Sequence, residues 1–334
     1  MGIGGGALTD LIRFQGEFYC SSFISGTQVR IMTSGDGAFW TSAALLPAPA
    51  PFESLLDPHL SITPGGDLML NAAHWDGVGG NDQSFVWMSP DGANWGLATP
   101  IGLLGEWIWR TQWHKGVAYS FARDESVFPA LEGTYLQLYS STDGTYFNTL
   151  GPKYFEDTYP NEVGYFFMED DTCWALLRRD IGETTSAQLG VTGPPYDNFT
   201  WTDLGVQIGG PQMIEMPNGQ FLATTRLYNP LRTSFCWVDP MRGELIELLK
   251  LPGGGFTGYC GMVLYDNLLW VSFHLAGGEI TLAKVHYTST VLDGDLDVDG
   301  DIDLEDFSRL AVDWQELYGS EDLGHVTENW LQGR

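Results

Sequence analysis

SGDGAFW at Ser34 to Trp40, SPDGANW at Ser89 to Trp95 and STDGTYF at Ser141 to Phe147 repeat one pattern, Ser-x-Asp-Gly-x-x-aromatic. Each follows a strand-like run (QVRIMT, SFVWM, YLQLYS) and precedes another extended segment. An Asp carboxylate can accept backbone N–H groups within a tight turn, a Gly can take the positive φ that the turn needs, and the aromatic packs beneath. The pattern therefore predicts a hairpin turn, and its recurrence at spacings of 55 and 52 residues predicts a repeated structural unit.

A period of this length suits four strands. A second type of hairpin recurs along the chain: RFQGEFYCSSF, ITPGGDLML, QWHKGVAYS, FMEDDTCWALL, EMPNGQFLATT and LYDNLLWVSF. Each places a polar turn between two apolar runs. Six such hairpins predict an all-β, six-bladed β-propeller over residues 7–290, and the remaining residues, 291–334, read as a small α-helical tail. Pairing of the two chain ends within one blade is expected to close the ring, because closure removes exposed sheet edges.

Composition agrees with short strands and tight turns. The 334 residues include 42 Gly and 13 Trp but only 15 Lys and Arg, for a formal net charge of -28. That charge argues against nucleic acid and anionic membranes as partners, since phosphate binding needs a cationic surface. No run of about 18 apolar residues is present to span a bilayer. The opening MGIGGGALTD has neither the basic start nor the apolar stretch of a leader. Cys20, Cys173, Cys236 and Cys260 form no CxxC and read as buried thiols rather than as a zinc site.

Innermost strands of a propeller line a central channel. Aligning the six hairpins puts Asp10, Asp57, Arg110, Glu162, Gln212 and Tyr259 at the start of the first strand. At the end of the second strand it puts His74, Arg123, Arg178, Arg226 and His274. The chain has 11 arginines, and four fall in this ring. Two explanations stand at this point. One is an ion-pair lattice that closes the channel, since buried charges must pair. The other is a polar pocket for an anionic or polyhydroxylated ligand, with guanidinium forks suited to a carboxylate.

The repeated turns, together with NEVGYFFMEDDTCWALLRRD and GYCGMVLYDNLLWVSF, resemble the sialidases and the wider Asp-box, or BNR-repeat, propellers. That resemblance implies a glycoside hydrolase acting on a carboxylate-bearing or other terminal sugar. It implies Tyr259 as nucleophile, Glu162 as its base, and a carboxylate clamp that includes Arg178 and either Arg232 or Arg226. Arg13, in TDLIRF, is the one candidate for the clamp arginine of the first blade. Asp57 and Asp36 are the candidates for the acid/base, Asp36 being also a turn residue. Arg110, Arg123, His74 and His274 complete the expected sugar-contacting set. A carbohydrate-binding propeller without turnover is the alternative.

Eight acids and no base occupy residues 293–306. DLDVDGDIDLED fits a calcium loop, with Asp295, Asp297 and Asp299 at positions 1, 3 and 5 and Gly300 at the sharp turn. Asp301, Asp303 and Asp306 fall at positions 7, 9 and 12. With the helix-like FSRLAVDW that follows, this segment resembles one half of a type I dockerin. The resemblance implies bound Ca2+, a cohesin-like partner and an extracellular or cell-surface bacterial protein.

Overall fold

The computed structural model describes residues 7–287, apart from 25, 78–79, 125, 127–131, 181–184, 254–256 and 276–277. The described residues are all-β, in six antiparallel meanders. The first is β1 (Ala7–Phe14), β2 (Glu17–Ile24), β3 (Gln28–Ser34) and β4 (Thr41–Pro47). The second is β5 (Leu56–Ile62), β6 (Leu68–His74), β7 (Gln83–Ser89) and β8 (Thr99–Ile101). The third is β9 (Glu106–His114), β10 (Val117–Asp124), β11 (Leu136–Ser141) and β12 (Asn148–Tyr154). The fourth is β13 (Pro160–Phe167), β14 (Cys173–Arg179), β15 (Gln188–Thr192) and β16 (Thr200–Asp203). The fifth is β17 (Ile208–Glu215), β18 (Phe221–Leu227), β19 (Arg232–Asp239) and β20 (Glu244–Lys250). The sixth is β21 (Gly261–Tyr265), β22 (Leu268–His274) and β23 (Ile280–His286).

These are the six expected blades. The first strands are innermost: β1 packs on β5, β5 on β9, β9 on β13, and β1 again on β21. The second strands are buried along nearly their whole length, so each blade buries side chains on both faces and the core lies between blades. Phe14, Val29 and Ile31 of the first blade meet Leu60, Leu70 and Phe85 of the second. Phe121 and Leu138 meet Tyr165 and Phe199 between the third and fourth. Leu11, Phe18 and Met32 meet Trp270 and Ile280 where the ring closes.

Ring closure differs from the expectation. Among the described residues no sheet mixes strands from the two ends of the chain. The first and sixth blades meet face to face. Thr9 N–H donates to Tyr259 O at 3.2 Å, and Ser272 Oγ bonds Thr9 Oγ1 at 3.1 Å. Gly261 permits the approach, because a Cβ there would lie 2.1 Å from Leu11 N.

The three Ser-x-Asp-Gly turns join the third and fourth strands of the first three blades. Asp36 Oδ1 accepts Ala38 N–H at 2.8 Å and Phe39 N–H at 3.0 Å, and Trp40 Nε1 donates to Gly37 O at 3.0 Å. Asp91 and Asp143 repeat the bonds. Asp239 makes the same pair to Met241 and Arg242 N–H in the fifth blade, in a turn whose sequence has lost the pattern. Gly37 sits at φ +71°, and a Cβ there would come within 2.3 Å of the Trp270 ring in the neighbouring blade. Gly37→Ala is expected to cost about 2–4 kcal/mol from left-handed strain plus overpacking, read as a lower urea midpoint at unchanged m-value.

The C-terminal segment, with the expected helices and the calcium set Asp295, Asp297, Asp299, Asp301, Asp303 and Asp306, lies outside the described residues. All four cysteines are buried free thiols.

Candidate active site

A β-bulge at the start of the inner strands shapes the site. Register shifts fall between Ala7 and Thr9, between Leu56 and His59, and between Pro160 and Val163. A further shift, between Ser120 and Ala122 of β10, sets Trp109 and Arg110 of β9 against one residue. Leu8, Asp57, Tyr159 and Tyr259 adopt left-handed φ values of 53°, 50°, 53° and 55°. Non-glycine residues rarely take this conformation, and bulges that hold it re-aim side chains at the rims of sheets. Here they turn polar side chains of several blades toward the axis.

Tyr259, Glu162 and Arg178 converge although they belong to two blades and are up to 97 residues apart in the chain. Tyr259 Oη donates to Glu162 Oε1 at 2.9 Å. Arg178 Nη1 donates to Glu162 Oε1 and Oε2 at 2.7 and 2.8 Å, and to Tyr259 Oη at 3.1 Å. Arg178 Nε donates to Asp180 Oδ1 at 2.7 Å. Arg123 Nη1 stands 3.8 Å from Glu162 Oε1 and stacks its guanidinium on Trp107 at 4.8 Å. The Arg226 guanidinium lies 5.2 Å from the centre of the Tyr259 ring, and its Nε donates to Thr257 O at 2.7 Å. Trp109 flanks the phenol with ring centres 5.8 Å apart.

The electrostatics set both protonation states. Burial alone would raise the Glu162 carboxyl, but the charges of Arg178 and Arg123 and the bonds from Arg178 and Tyr259 outweigh it and hold it below the usual range. Burial, the Glu162 charge and, more weakly, Asp57 push the Tyr259 phenol well above its usual value, against the pull of Arg178 and Arg226. At neutral pH the pair is a phenol bonded to a carboxylate.

A second polar layer lies deeper. Arg110 Nη1 donates to Asp10 Oδ1 at 2.9 Å and Nη2 to Cys260 O at 3.0 Å. Asp10 Oδ2 accepts Leu60 N–H at 2.9 Å, with His59 Nδ1 at 3.6 Å. All three side chains are buried. The channel continues beyond them as a cavity of about 310 Å3 bordered by Asp10, Arg110, Gln112, Gln212, Ile12 and Ile62 among others; Glu162 and Tyr259 are not part of its wall.

Part of the charged ring is therefore an ion-pair lattice, formed by Asp10 and Arg110. Arg110, expected to contact sugar, is instead spent on Asp10 in an ion-pair floor. Arg232 does not join the pocket: Nε and Nη2, one edge of its guanidinium, donate to the two oxygens of Glu247 on β20, and Nη1 donates to Pro230 O at 2.7 Å. Arg226 is the competitor that faces Tyr259. Arg13 is also elsewhere, its guanidinium over the rings of Phe18 and Tyr265 at 4.3 and 4.0 Å. Asp36 is committed to its turn. Asp57 is buried in its bulge and close enough to raise the Tyr259 phenol. His74 bonds Ser54 Oγ through Nδ1 at 2.8 Å and packs on Phe52. His274 is buried at the end of β22, opposite Ile280. Asp180, Trp107 and Trp109 escaped the sequence reading. Asp180 had a signal, since two residues after Arg178 it shares that residue's strand face.

Solved structures match over most of the chain. A protein of unknown function from Dyadobacter fermentans aligns with a TM-score of 0.68 at 17% identity, covering 84% of this chain and 93% of that one. The Penicillium chrysogenum α-L-arabinanase, complexed with arabinobiose, aligns at 0.68 and 13% identity over 85% and 94% of the two chains. The Trypanosoma rangeli sialidase, in complex with the inhibitor DANA, aligns at 0.65 and 11% identity over 83% of this chain and 54% of its own. No family model and no curated protein sequence matches. Identities this low carry the architecture and nothing finer: the chain is a six-bladed β-propeller with structural neighbours among sialidases, arabinanases and arabinofuranosidases.

Proposed function

We propose that the chain is a glycoside hydrolase that releases a terminal, carboxylate-bearing sugar in the manner of a sialidase. The observation that carries this reading is the 2.9 Å bond from the Tyr259 phenol to the Glu162 carboxylate, with Arg178 and Arg226 beside it. A sugar with a carboxylate on its anomeric carbon would repel an anionic nucleophile, whereas a neutral phenol can approach it. As the Tyr259 oxygen bonds the anomeric carbon, its proton passes to Glu162 and the glycosidic C–O bond breaks. Asp57 is the assigned acid, protonating the departing oxygen; water then bonds the anomeric carbon and gives a proton to Asp57, the Tyr259–carbon bond breaks, and the phenolate recovers its proton from Glu162. Arg226 and Arg178 hold the substrate carboxylate.

A second reading, sugar binding without turnover, draws on one observation. Arg178 is already shared by Glu162, Asp180 and Tyr259, so a substrate carboxylate must compete for it. Release of fluorophore from a fluorogenic sialoside, run beside arabinosides and a glycan panel, separates the two. Turnover of the sialoside supports the hydrolase. Sugar binding with no turnover of any sialoside leaves the binding reading.

For the tail we propose, on ligand spacing alone, that Asp295–Asp306 binds one Ca2+, that the segment docks a cohesin-like partner, and that the protein acts outside the cell. Calcium titration of chelator-treated protein by calorimetry is expected to show one site that Asp295→Ala and Asp306→Ala each abolish. An unchanged isotherm in both variants would remove the calcium loop, and with it the grounds for the docking role.

A further inference from the structure

We infer that Asp180, braced by Asn161, is a positioning residue that sets the plane of the Arg178 guanidinium so that one terminal nitrogen sits between Glu162 and Tyr259. The inference rests on reading Tyr259 and Glu162 as the reacting pair.

Its basis is the bulge at the start of β13. Pro160 pairs with Arg179 and Val163 with Leu177, so the consecutive residues Asn161 and Glu162 both face Arg178 across the strands. Each grips one end of the same unit. Glu162 takes Arg178 Nη1 through both oxygens, at 2.7 and 2.8 Å. Asn161 Nδ2 donates to Asp180 Oδ2 at 2.5 Å, and the other oxygen of Asp180 takes Arg178 Nε at 2.7 Å. Asp180 N–H also donates to Tyr159 O at 3.4 Å, tying its backbone to the residue at the left-handed bulge position.

A guanidinium is planar, with donors in a fixed fork. Held only at Nη1, it can turn about that contact and offer Glu162 two nitrogens side by side, the preferred geometry for a carboxylate. That turn would carry Nη1 away from the Tyr259 oxygen. Asp180 occupies the Nε edge and blocks it. Nη1 is then left within 3.1 Å of Tyr259 Oη, where its charge favours the phenolate that forms as the proton leaves. Asp180 touches neither the phenol nor the reacting proton and acts through Arg178.

The test compares Asp180→Ala, Asp180→Asn and Asn161→Ala with the parent, all as the full chain. On a fluorogenic sialoside, Asp180→Ala is expected to lower kcat on the order of 10²-fold with a smaller change in KM, the scale of a misplaced catalytic group. Asp180→Asn should recover most of this, because the amide oxygen still accepts the Nε–H. Asn161 Oδ1, buried and without a partner among the described atoms, can turn to accept the new N–H. The second readout needs no turnover: titration of the Glu162 carboxyl by NMR on 13C-labelled protein. The groups facing that carboxyl are Arg178, Arg123 and Tyr259, with His59 further off. Loosening Arg178 should move the Glu162 titration upward in Asp180→Ala, and the acid limb of the rate profile with it. The surface control Asp239→Ala should move neither. A folded Asp180→Ala with Glu162 titrating as in the parent overturns the inference. If Asp180→Ala fails to fold, the same comparison is made with Asn161→Ala. A parent without sialoside turnover defeats the hydrolase reading and still leaves the titration to decide the role of Asp180.

Discussion

Replacing Tyr259 with Phe is expected to abolish sialoside hydrolysis, with kcat falling by at least about 10³-fold, because phenylalanine lacks the oxygen that attacks the anomeric carbon. The fold should survive. The substitution deletes two buried hydrogen bonds, one to Glu162 and one from Arg178, while Glu162 keeps Arg178, so the expected loss of stability is about 1–3 kcal/mol. Near-native near-UV circular dichroism would separate lost chemistry from lost structure. The pair also predicts a pH signature for the parent. Glu162 is held below the usual carboxyl range and Tyr259 above the usual phenol range. The working form, carboxylate plus phenol, therefore spans about pH 5 to 9, and this pair should impose no limb on the rate there. Undiminished turnover in Tyr259→Phe would remove the nucleophile assignment and move the search to Asp57 and Glu162 as a carboxylate pair.

Asp10→Ala should be the most damaging single change in the floor of the channel. It strands the buried Arg110 guanidinium without its counter-charge, at an expected cost of about 3–5 kcal/mol. For a chain of this size that is roughly a 10 °C fall in Tm. The acid dependence of stability carries the same signature. Burial would raise the Asp10 carboxyl, but Arg110, His59 and the Leu60 N–H together lower it to about 2. A depressed carboxyl stabilises the fold above its unfolded value of 3.8, and that contribution is lost as the pH falls toward about 2. His59 is lowered as well, which for a base favours the neutral form. Burial first and Arg110 second bring it from 6.5 to about 4, so the fold holds it neutral and loses stability as the pH drops from 6.5 toward 4. Urea midpoints taken across this range should fall in two stages in the parent. The lower stage should be missing in Asp10→Ala. A variant as stable as the parent at neutral pH would mean that Arg110 finds compensation elsewhere.

The parts of this protein that were legible in the sequence are those decided within a few residues. An Asp that caps its own turn, a Gly with positive φ and a following aromatic make a hairpin wherever they stand, so the three turns and the six blades could be read without coordinates. Pairing Glu162 with Tyr259 came from resemblance, and the alignment of hairpins placed both at one rim. That alignment was out of register in depth. Leu8, Asp57, Tyr159 and Tyr259 share the left-handed position at the rim, while Asp10 and His59 lie two residues further in and Glu162 three. A bulge adds a residue to one strand only, and nothing in the hydrophobic alternation marks where it does so. For that reason the alignment set Arg110 level with Glu162 and Tyr259, whereas the structure pairs it with the buried Asp10.

Sequence by itself determined the all-β repeat, the blade count and the residue types gathered on the axis, because turn chemistry and strand alternation are local. Tertiary structure decided which arginine faces the phenol and how the ring closes. Arg226 and Arg232 stand on adjacent strands of one blade, only six residues apart, and a choice between them depends on which end of the sheet faces the axis and which neighbour takes up the charge. Glu247, on the outer strand, took Arg232, and the inner position left Arg226 beside Tyr259.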